Sequence, residues 1–165
     1  MIFQKSSADK LFQVTIDKAY TYFNGKMRQE ILECSTRKEQ MGVLEGKIAL
    51  VTGAASGIGR STAEAFAKEG VSHIALVDID EQGILSSSKI VSDLKTSFST
   101  HCADVSQEDL VERTLNEVID EHGRLDIAFN NAGINHTSSR FHELEIGDWK
   151  EMIETNLTSA GLCMK

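Results

Sequence analysis

The chain has 165 residues, 41% of them hydrophobic and 25% charged, with a formal net charge of −8. That length suits one domain able to bury a core, and no stretch approaches the roughly 18 apolar residues of a membrane span. An acidic body argues against a nucleic-acid partner, whose phosphates need a basic face. It still allows a ligand whose phosphates are held by backbone dipoles.

Residues 1–40 differ in character from the rest. They carry 7 Lys and Arg against 5 Asp and Glu, whereas residues 41–165 carry 10 against 20. Five of the ten aromatics fall here (Phe3, Phe12, Tyr20, Tyr22, Phe23), and no clear period of 2 or 3.6 appears before about Lys26. The segment is expected to be a poorly ordered extension or sequence upstream of the native start. Met41, at the head of Met41-Gly-Val-Leu-Glu-Gly-Lys47, is a plausible initiator. A mitochondrial presequence is the other reading, weakened by Asp9 and Asp17 because transit peptides are poor in acids. Cys34, Cys102 and Cys163 are odd in number and lack metal-ligand spacing. They read as reduced thiols of a cytoplasmic protein.

From Met41 on, strand and helix patterns alternate, which predicts an α/β fold with a parallel, doubly wound sheet. The first strand is expected over 48–52 and runs into a turn with glycines at 53, 57 and 59. A helix over 58–69 follows, with Ile58, Thr62, Ala65 and Phe66 on one face and Gly70 as its stop. A strand, a glycine-spaced turn and a helix suit a pyrophosphate: the helix N-terminus offers free N–H groups and a positive partial charge. The second strand is expected over 73–77, ending at Asp78, and the third over 97–102. Ser106-x-x-Asp109 has a capping-box pattern for a helix over 107–121 that stops at Gly123. Its apolar face is Leu110, Val111, Leu115, Val118 and Ile119. A fourth strand is read over 125–129. A last helix, from about Asp148, carries Trp149, Met152, Ile153, Leu157, Ala160, Gly161 and Met164 as a stripe, and Asn156 falls on that stripe.

Residues 44–165 resemble the short-chain dehydrogenase/reductase family. Thr52-Gly-Ala-Ala-Ser-Gly-Ile-Gly59 is similar to its cofactor loop, and Asn130-Asn-Ala-Gly133 to its second signature. Asp104-Val105 sits where the family contacts adenine, and Asn156 matches the asparagine of its catalytic tetrad. A P-loop is excluded, because five residues rather than four separate Gly53 from Gly59 and no Lys follows.

The resemblance implies a Rossmann-like cofactor-binding half built on Gly53, Ser56, Gly57, Ile58, Gly59, Asp78, Asp104, Val105, Asn131, Ala132 and Gly133. The first asparagine, Asn130, would steady the sheet, and Asn131 would lie nearer the cofactor. Asn156 would distort its helix locally and hold a water in a proton relay. Asp78 can accept hydrogen bonds from ribose hydroxyls and repel a 2′-phosphate. With Ser56 before Gly57 and Ile79 after Asp78, no nearby cation offsets it, so NAD is expected over NADP. Asp78 and Asp104 also fit plain turn positions, and asparagines at a strand end can bond their own backbone without a ligand.

The implied activity is hydride transfer with a small-molecule alcohol or carbonyl substrate, in a homo-oligomer, with neither nucleic acid nor membrane as a partner. The family's serine and Tyr-x-x-x-Lys pair are not found: no tyrosine follows Tyr22. Tyr22-Phe-Asn-Gly-Lys26 has that spacing but precedes the glycine turn, and Gly25 weakens a helix there. The sequence thus reads as a sheet cut short after about four strands, with 125–129 an exposed edge and the product marginally stable. A non-catalytic dinucleotide-binding module and an incomplete gene product are the other readings. His136 to Phe141 would line a substrate pocket.

Overall fold

A computed structural model describes residues 42–136 and 140–165, together with Lys26. The expectations for residues 1–40, apart from Lys26, lie outside these residues, including the extension and Cys34, as do Met41, and Thr137 to Ser139 of the segment expected to line a pocket.

Strand β1 (Ile48–Thr52) is buried at every position. A parallel strand covered on both faces has no solvent side, so its sequence is continuously apolar instead of alternating. It pairs in parallel with β2 (His73–Asp78) from Ile48↔His73 to Thr52↔Val77. On its other side it pairs with β4 (Ile127–Phe129) from Ala49↔Ile127 to Val51↔Phe129. β3 (Ser97–Cys102) lies outside β2, giving the order β3-β2-β1-β4. The chain therefore steps outward twice and then returns to the opposite side of β1. That reversal opens a crevice beyond the carboxyl ends of β1 and β4, where open α/β sheets bind ligands.

The period of two in β1 sorts its side chains between two cores. Ala49 and Val51 join Ile74, Leu76, Ala63, Ala67, Ile84 and Val91 on one face. Ile48 and Leu50 join Ala75, Val77, Val111 and Val118 on the other. Helices α1 (Gly57–Lys68) and α2 (Glu81–Asp93) cover the first face, and α3 (Glu108–His122) covers the second. A 3₁₀ turn (Phe141–Glu143), α4 (Ile146–Ile153), a π-helical turn (Glu154–Thr158) and α5 (Ser159–Met164) complete the described chain.

Several expectations are corrected. The residues of α1 that meet the sheet are Gly59, Ala63 and Ala67, spaced by four; Ile58 is 71% exposed, and Ala65 is exposed too. Small residues in that row let the helix approach closely, and Ile58 stands about 100° around the axis from Gly59. No element was expected over 81–93, where α2 forms. Ser106 does not cap α3: Gln107 holds the cap position with no side-chain bond. Ser106 instead gives its N–H and hydroxyl to Asp104 Oδ1, at 2.9 and 2.7 Å.

β4 is only three residues long, and just before it the Asp126 carboxylate is engaged. It accepts from Ile48 N at 2.9 Å and Arg124 Nε at 3.0 Å, which holds the acid below its ordinary range, the Ile48 bond first. Among the described residues β4 has no strand on its outer side. The last helical stripe is broken: the π turn shifts the helical phase, so Ser159 faces inward while Leu157 is 65% exposed. Trp149 meets Phe141 edge-on at 5.9 Å at the surface.

A polar network fills the sheet face between β3 and α3. His73, only 3% exposed, bonds Ser97 Oγ at 2.9 Å and Ser99 Oγ at 3.1 Å. Ser99 bonds His101 Nε2 at 2.9 Å, and His101 Nδ1 meets Glu117 at 3.1 Å. The His122 ring lies 4.0 Å from that of His73. Burial first, and then the neighbouring His122, hold the His73 imidazole below its ordinary value. The folded state therefore binds that proton less readily than the unfolded chain. Its contribution is present above the unfolded value of about 6.5 and is lost as pH falls through the depressed one. Urea midpoints should drop between about pH 7 and pH 5, and His73→Gln should flatten the slope; an unchanged slope in the variant would refute this assignment.

Candidate functional site

The crevice beyond β1 and β4 is held open by a clamp between their ends. Thr52, 3% exposed, uses its hydroxyl oxygen to accept from Asn131 N and Ala132 N, both at 3.0 Å. Asn131 Nδ2 returns a bond to Thr52 O at 3.1 Å and reaches Gly53 O at 3.4 Å. Asn131 thus ties the end of β4 to β1, while Asn130 Oδ1 is buried without a partner.

The turn after β1 needs glycine for two separate reasons. Gly53 has φ +67°, and a Cβ there would lie 2.8 Å from Asn131 Nδ2. Gly59 lies in the first turn of α1, where a Cβ would land on the Gly53 carbonyl. Between them, all four backbone polar groups of Ala54 and Ala55 are occupied. Ala54 N donates to Val77 O at 3.1 Å, and Ala54 O accepts from Ser87 Oγ at 2.7 Å. Ala55 N donates to Asp78 Oδ2 at 2.9 Å, and Ala55 O accepts from Arg60 Nη2.

The next residues are placed differently. Ser56 is the N-cap of α1 and makes no side-chain cap bond; the first helical turn holds no acid. Ser56, Gly57 and Ile58 are all exposed. A helix start leaves its first N–H groups without intrahelical partners, and here no side chain takes them. The positive end of the helix is left open at the mouth of the crevice.

Beyond the strand ends, starting at Gly53, lies a cleft of about 180 Å³ lined by Gly53, Asp78, Asp104, Val105, Gly133 and Glu151 among others. That is space for several waters. Its walls include Ile79, Ala103, Ala132, Ile134 and Thr155 but no Lys or Arg. Asp78, Asp104 and Glu151 make it acidic. Asp78 is also bonded through Oδ1 to Asp80 N at 3.0 Å, so its carboxylate is fixed in direction.

Asn156 is exposed, contrary to its expected place within an apolar stripe. It sits in the π turn and closes a two-bond pair with Ile134: Oδ1 accepts from Ile134 N at 2.8 Å, and Nδ2 donates to Ile134 O at 2.9 Å. Gly133 runs beside it, and a Cβ there would lie 3.1 Å from Asn156 Oδ1. His136 Nε2 is 3.2 Å from Glu151 Oε2 without hydrogen-bond alignment. The structure therefore gathers Gly53, Asp78, Asp104, Val105, Ala132 and Gly133 around one cleft, with Ser56 to Gly59 at the start of α1. Asn131 and Asn156 stand behind its wall.

Cys163 lies on the other side, next to Leu50 and Val111, and burial pushes its thiol up, away from a reactive thiolate. Among the described residues no group of three or more His, Cys, Asp or Glu is placed to hold a metal ion, and no helix is long and apolar enough to cross a membrane.

Sequence reasoning passed over Arg60, Ser87 and Glu151, and gave Thr52 no role beyond opening the turn motif. Arg60 carried a signal: a cation in the first turn of a helix opposes the macrodipole unless something else holds it. Ser87 and Glu151 carried none, since their roles depend on elements brought together from distant sequence.

The model of the short chain dehydrogenase family matches residues 47–165. Secoisolariciresinol dehydrogenase of Forsythia intermedia is 41% identical over 126 residues, which is 74% of this chain and 43% of that protein. The 3beta-hydroxysteroid dehydrogenase of Mediterraneibacter gnavus is 39% identical over 125 residues, 76% and 45% of the two chains. The chain thus spans a little under half the length of these relatives. Among solved structures, carveol dehydrogenase of Mycobacterium avium in complex with NAD superposes with a TM-score of 0.71 at 29% identity, covering 74% and 48%. The 3-ketoacyl-(acyl-carrier-protein) reductase of Brucella melitensis complexed with NADH gives 0.68 at 32%, covering 73% and 48%.

The Thr52 hydroxyl satisfies two amides at a buried position. Thr52→Val should therefore lower stability by about 1–3 kcal/mol, and Thr52→Ser by less, read from denaturant midpoints. Equal stability of the valine variant and the parent would show that the clamp contributes nothing.

Proposed function

The chain belongs to the short-chain dehydrogenase family, and from that premise we propose that residues 42–165 bind a nicotinamide dinucleotide across the crevice beyond β1 and β4. The observation that carries this reading is the open N-terminus of α1, uncapped and exposed at Ser56 to Ile58, beside Gly53 and Gly59, neither of which has space for a Cβ. Backbone N–H groups of Ser56, Gly57, Ile58 and Gly59 would take the diphosphate, where helix dipole and free donors act together. Asp78, fixed by Ala55 and Asp80, would accept from the hydroxyls of the adenosine ribose. Val105 would give adenine an apolar wall, with Asp104 at its edge. Ala132 and Gly133 would let the second nucleoside pass close to the backbone. Asn131 would support this from behind.

The bound dinucleotide would supply hydride chemistry at its nicotinamide, with an alcohol or carbonyl compound as the second reactant. Asn156, joined to Ile134 by two bonds, would fix the cleft wall and, with its remaining donor and acceptor capacity, hold a water for proton movement. The serine and Tyr-x-x-x-Lys pair associated with turnover do not follow the glycine turn in these 165 residues. The reading therefore assigns this stretch cofactor binding, and assigns turnover to a protein that also carries that serine and that pair. A non-catalytic dinucleotide-binding module is favoured instead if the chain binds cofactor in the cell with no such residues joined to it.

The acidic lining sets the cofactor preference. Three carboxylates and no cation face the cleft, so a 2′-phosphate meets repulsion without compensation. Calorimetric titration should show NAD binding about tenfold or more tighter than NADP. Asp78→Asn, which keeps an acceptor for Ala55 N but removes the charge, should narrow the ratio severalfold. NADP binding as tightly as NAD would contradict the proposal.

A further inference from the structure

We infer that Arg60 is a positioning residue for the dinucleotide turn, acting from behind it through Ala55 and Ser87 without touching the ligand; this rests on the reading of the crevice given above. Its guanidinium donates from Nε to Ser87 Oγ at 2.9 Å and from Nη2 to the Ala55 carbonyl, with Gly83 O at 3.4 Å. Ser87, 1% exposed, donates its hydroxyl to Ala54 O at 2.7 Å. One planar cation thus connects the turn to α2 and orients both carbonyls of the Ala54–Ala55 pair into the protein.

The consequence follows from the geometry of a peptide chain. With the carbonyls of Ala54 and Ala55 turned inward, and their amides donating to Val77 O and Asp78 Oδ2, the peptide plane leading into Ser56 has little freedom, and Ser56 O, accepting from Arg60 N at 3.1 Å, holds the plane leading into Gly57. Their N–H groups are thereby preset at the crevice mouth, and a preset donor array loses less entropy on binding. α2 is packed tightly enough to serve as the anchor: a Cβ on Gly83 would lie 2.6 Å from Ala55 Cβ.

Arginine suits this task where lysine does not, because a rigid fork can hold several acceptors in fixed directions whereas an ammonium is a single point. Position adds to the argument. A cation in the first turn faces the positive end of its own helix, so its placement calls for partners strong enough to offset that repulsion. Two carbonyls and a hydroxyl supply them. The Arg60 guanidinium is already engaged behind the turn by Ser87, Ala55 O and Gly83 O, which separates its task from direct phosphate contact.

The test compares ADP-ribose, which carries the diphosphate, with adenosine, which lacks it, by NMR titration of the 165-residue chain. Arg60→Met should weaken ADP-ribose binding about tenfold or more and adenosine binding less than twofold. Arg60→Lys should restore only part of the loss, and Ser87→Ala should reproduce a smaller version of it. Equal losses for both ligands, or none, would overturn the assignment. Amide hydrogen exchange provides a ligand-free arm: Ala54 and Ala55 amides should exchange faster in Arg60→Met while β2 amides keep their rates. If the parent chain binds neither ligand, the dinucleotide reading fails, and the exchange arm alone decides whether Arg60 positions the turn. Unchanged exchange at Ala55 would refute it.

Discussion

The architecture of the crevice depends on one hydroxyl. Thr52 joins the end of β1 to the residues after β4 by accepting from two successive amides, Asn131 N and Ala132 N. β4 itself pairs over only three residues, too short a ladder to fix the spacing of the two strand ends unaided. The clamp makes the crevice a defined gap instead of a splayed edge. It also places Asn131 where its amide reaches the Gly53 carbonyl, so the position of the turn and the position of β4 are set together.

The turn is then held from its other flank by β2 and α2. Val77 O, Asp78, Ser87 and Arg60 each engage one backbone group of Ala54 or Ala55. Polar groups that would otherwise compete for a ligand are satisfied internally, and the donors left at the mouth belong to the start of α1. Order in the turn and readiness of the helix end are two results of the same bonds. The acidic lining contributed by Asp78, Asp104 and Glu151 acts on a different part of the ligand. In this account backbone dipoles attract the diphosphate while side-chain charge discriminates at the ribose.

Legibility in the sequence followed whether a backbone requirement was written in a residue that signals it. β1, the turn and α1 were readable because Gly53 and Gly59 fill positions where a side chain would collide. Gly70 and Gly123, with φ of +79° and +73°, mark the ends of α1 and α3 in the same way. α2 escaped because its end carries no such mark: Lys95 takes the left-handed conformation, with φ +61°. Its three consecutive serines also lower helix propensity, yet Ser86 and Ser88 bond to carbonyls within the helix and Ser87 to Ala54. Gly53, Asp78, Asp104, Val105, Ala132 and Gly133 converge on one cleft, but the bonds around it were not legible. Asn131 bonds Thr52, 79 residues away, because partners distant in sequence decide where a side chain's bonds go. The π turn is the same lesson at the C-terminal end, since a change of helical phase moves Leu157 outward and leaves the periodic stripe meaningless beyond Ile153.

The central claim is that open amides at the start of α1 receive a diphosphate. Backbone amide shifts on titration of the chain with NAD test it most directly. The account predicts the largest changes at Ser56, Gly57, Ile58 and Gly59, with Gly147, which is outside the cleft lining, unmoved. Saturable binding that leaves those four amides unshifted, with its largest changes in α3 and α5 instead, would contradict it.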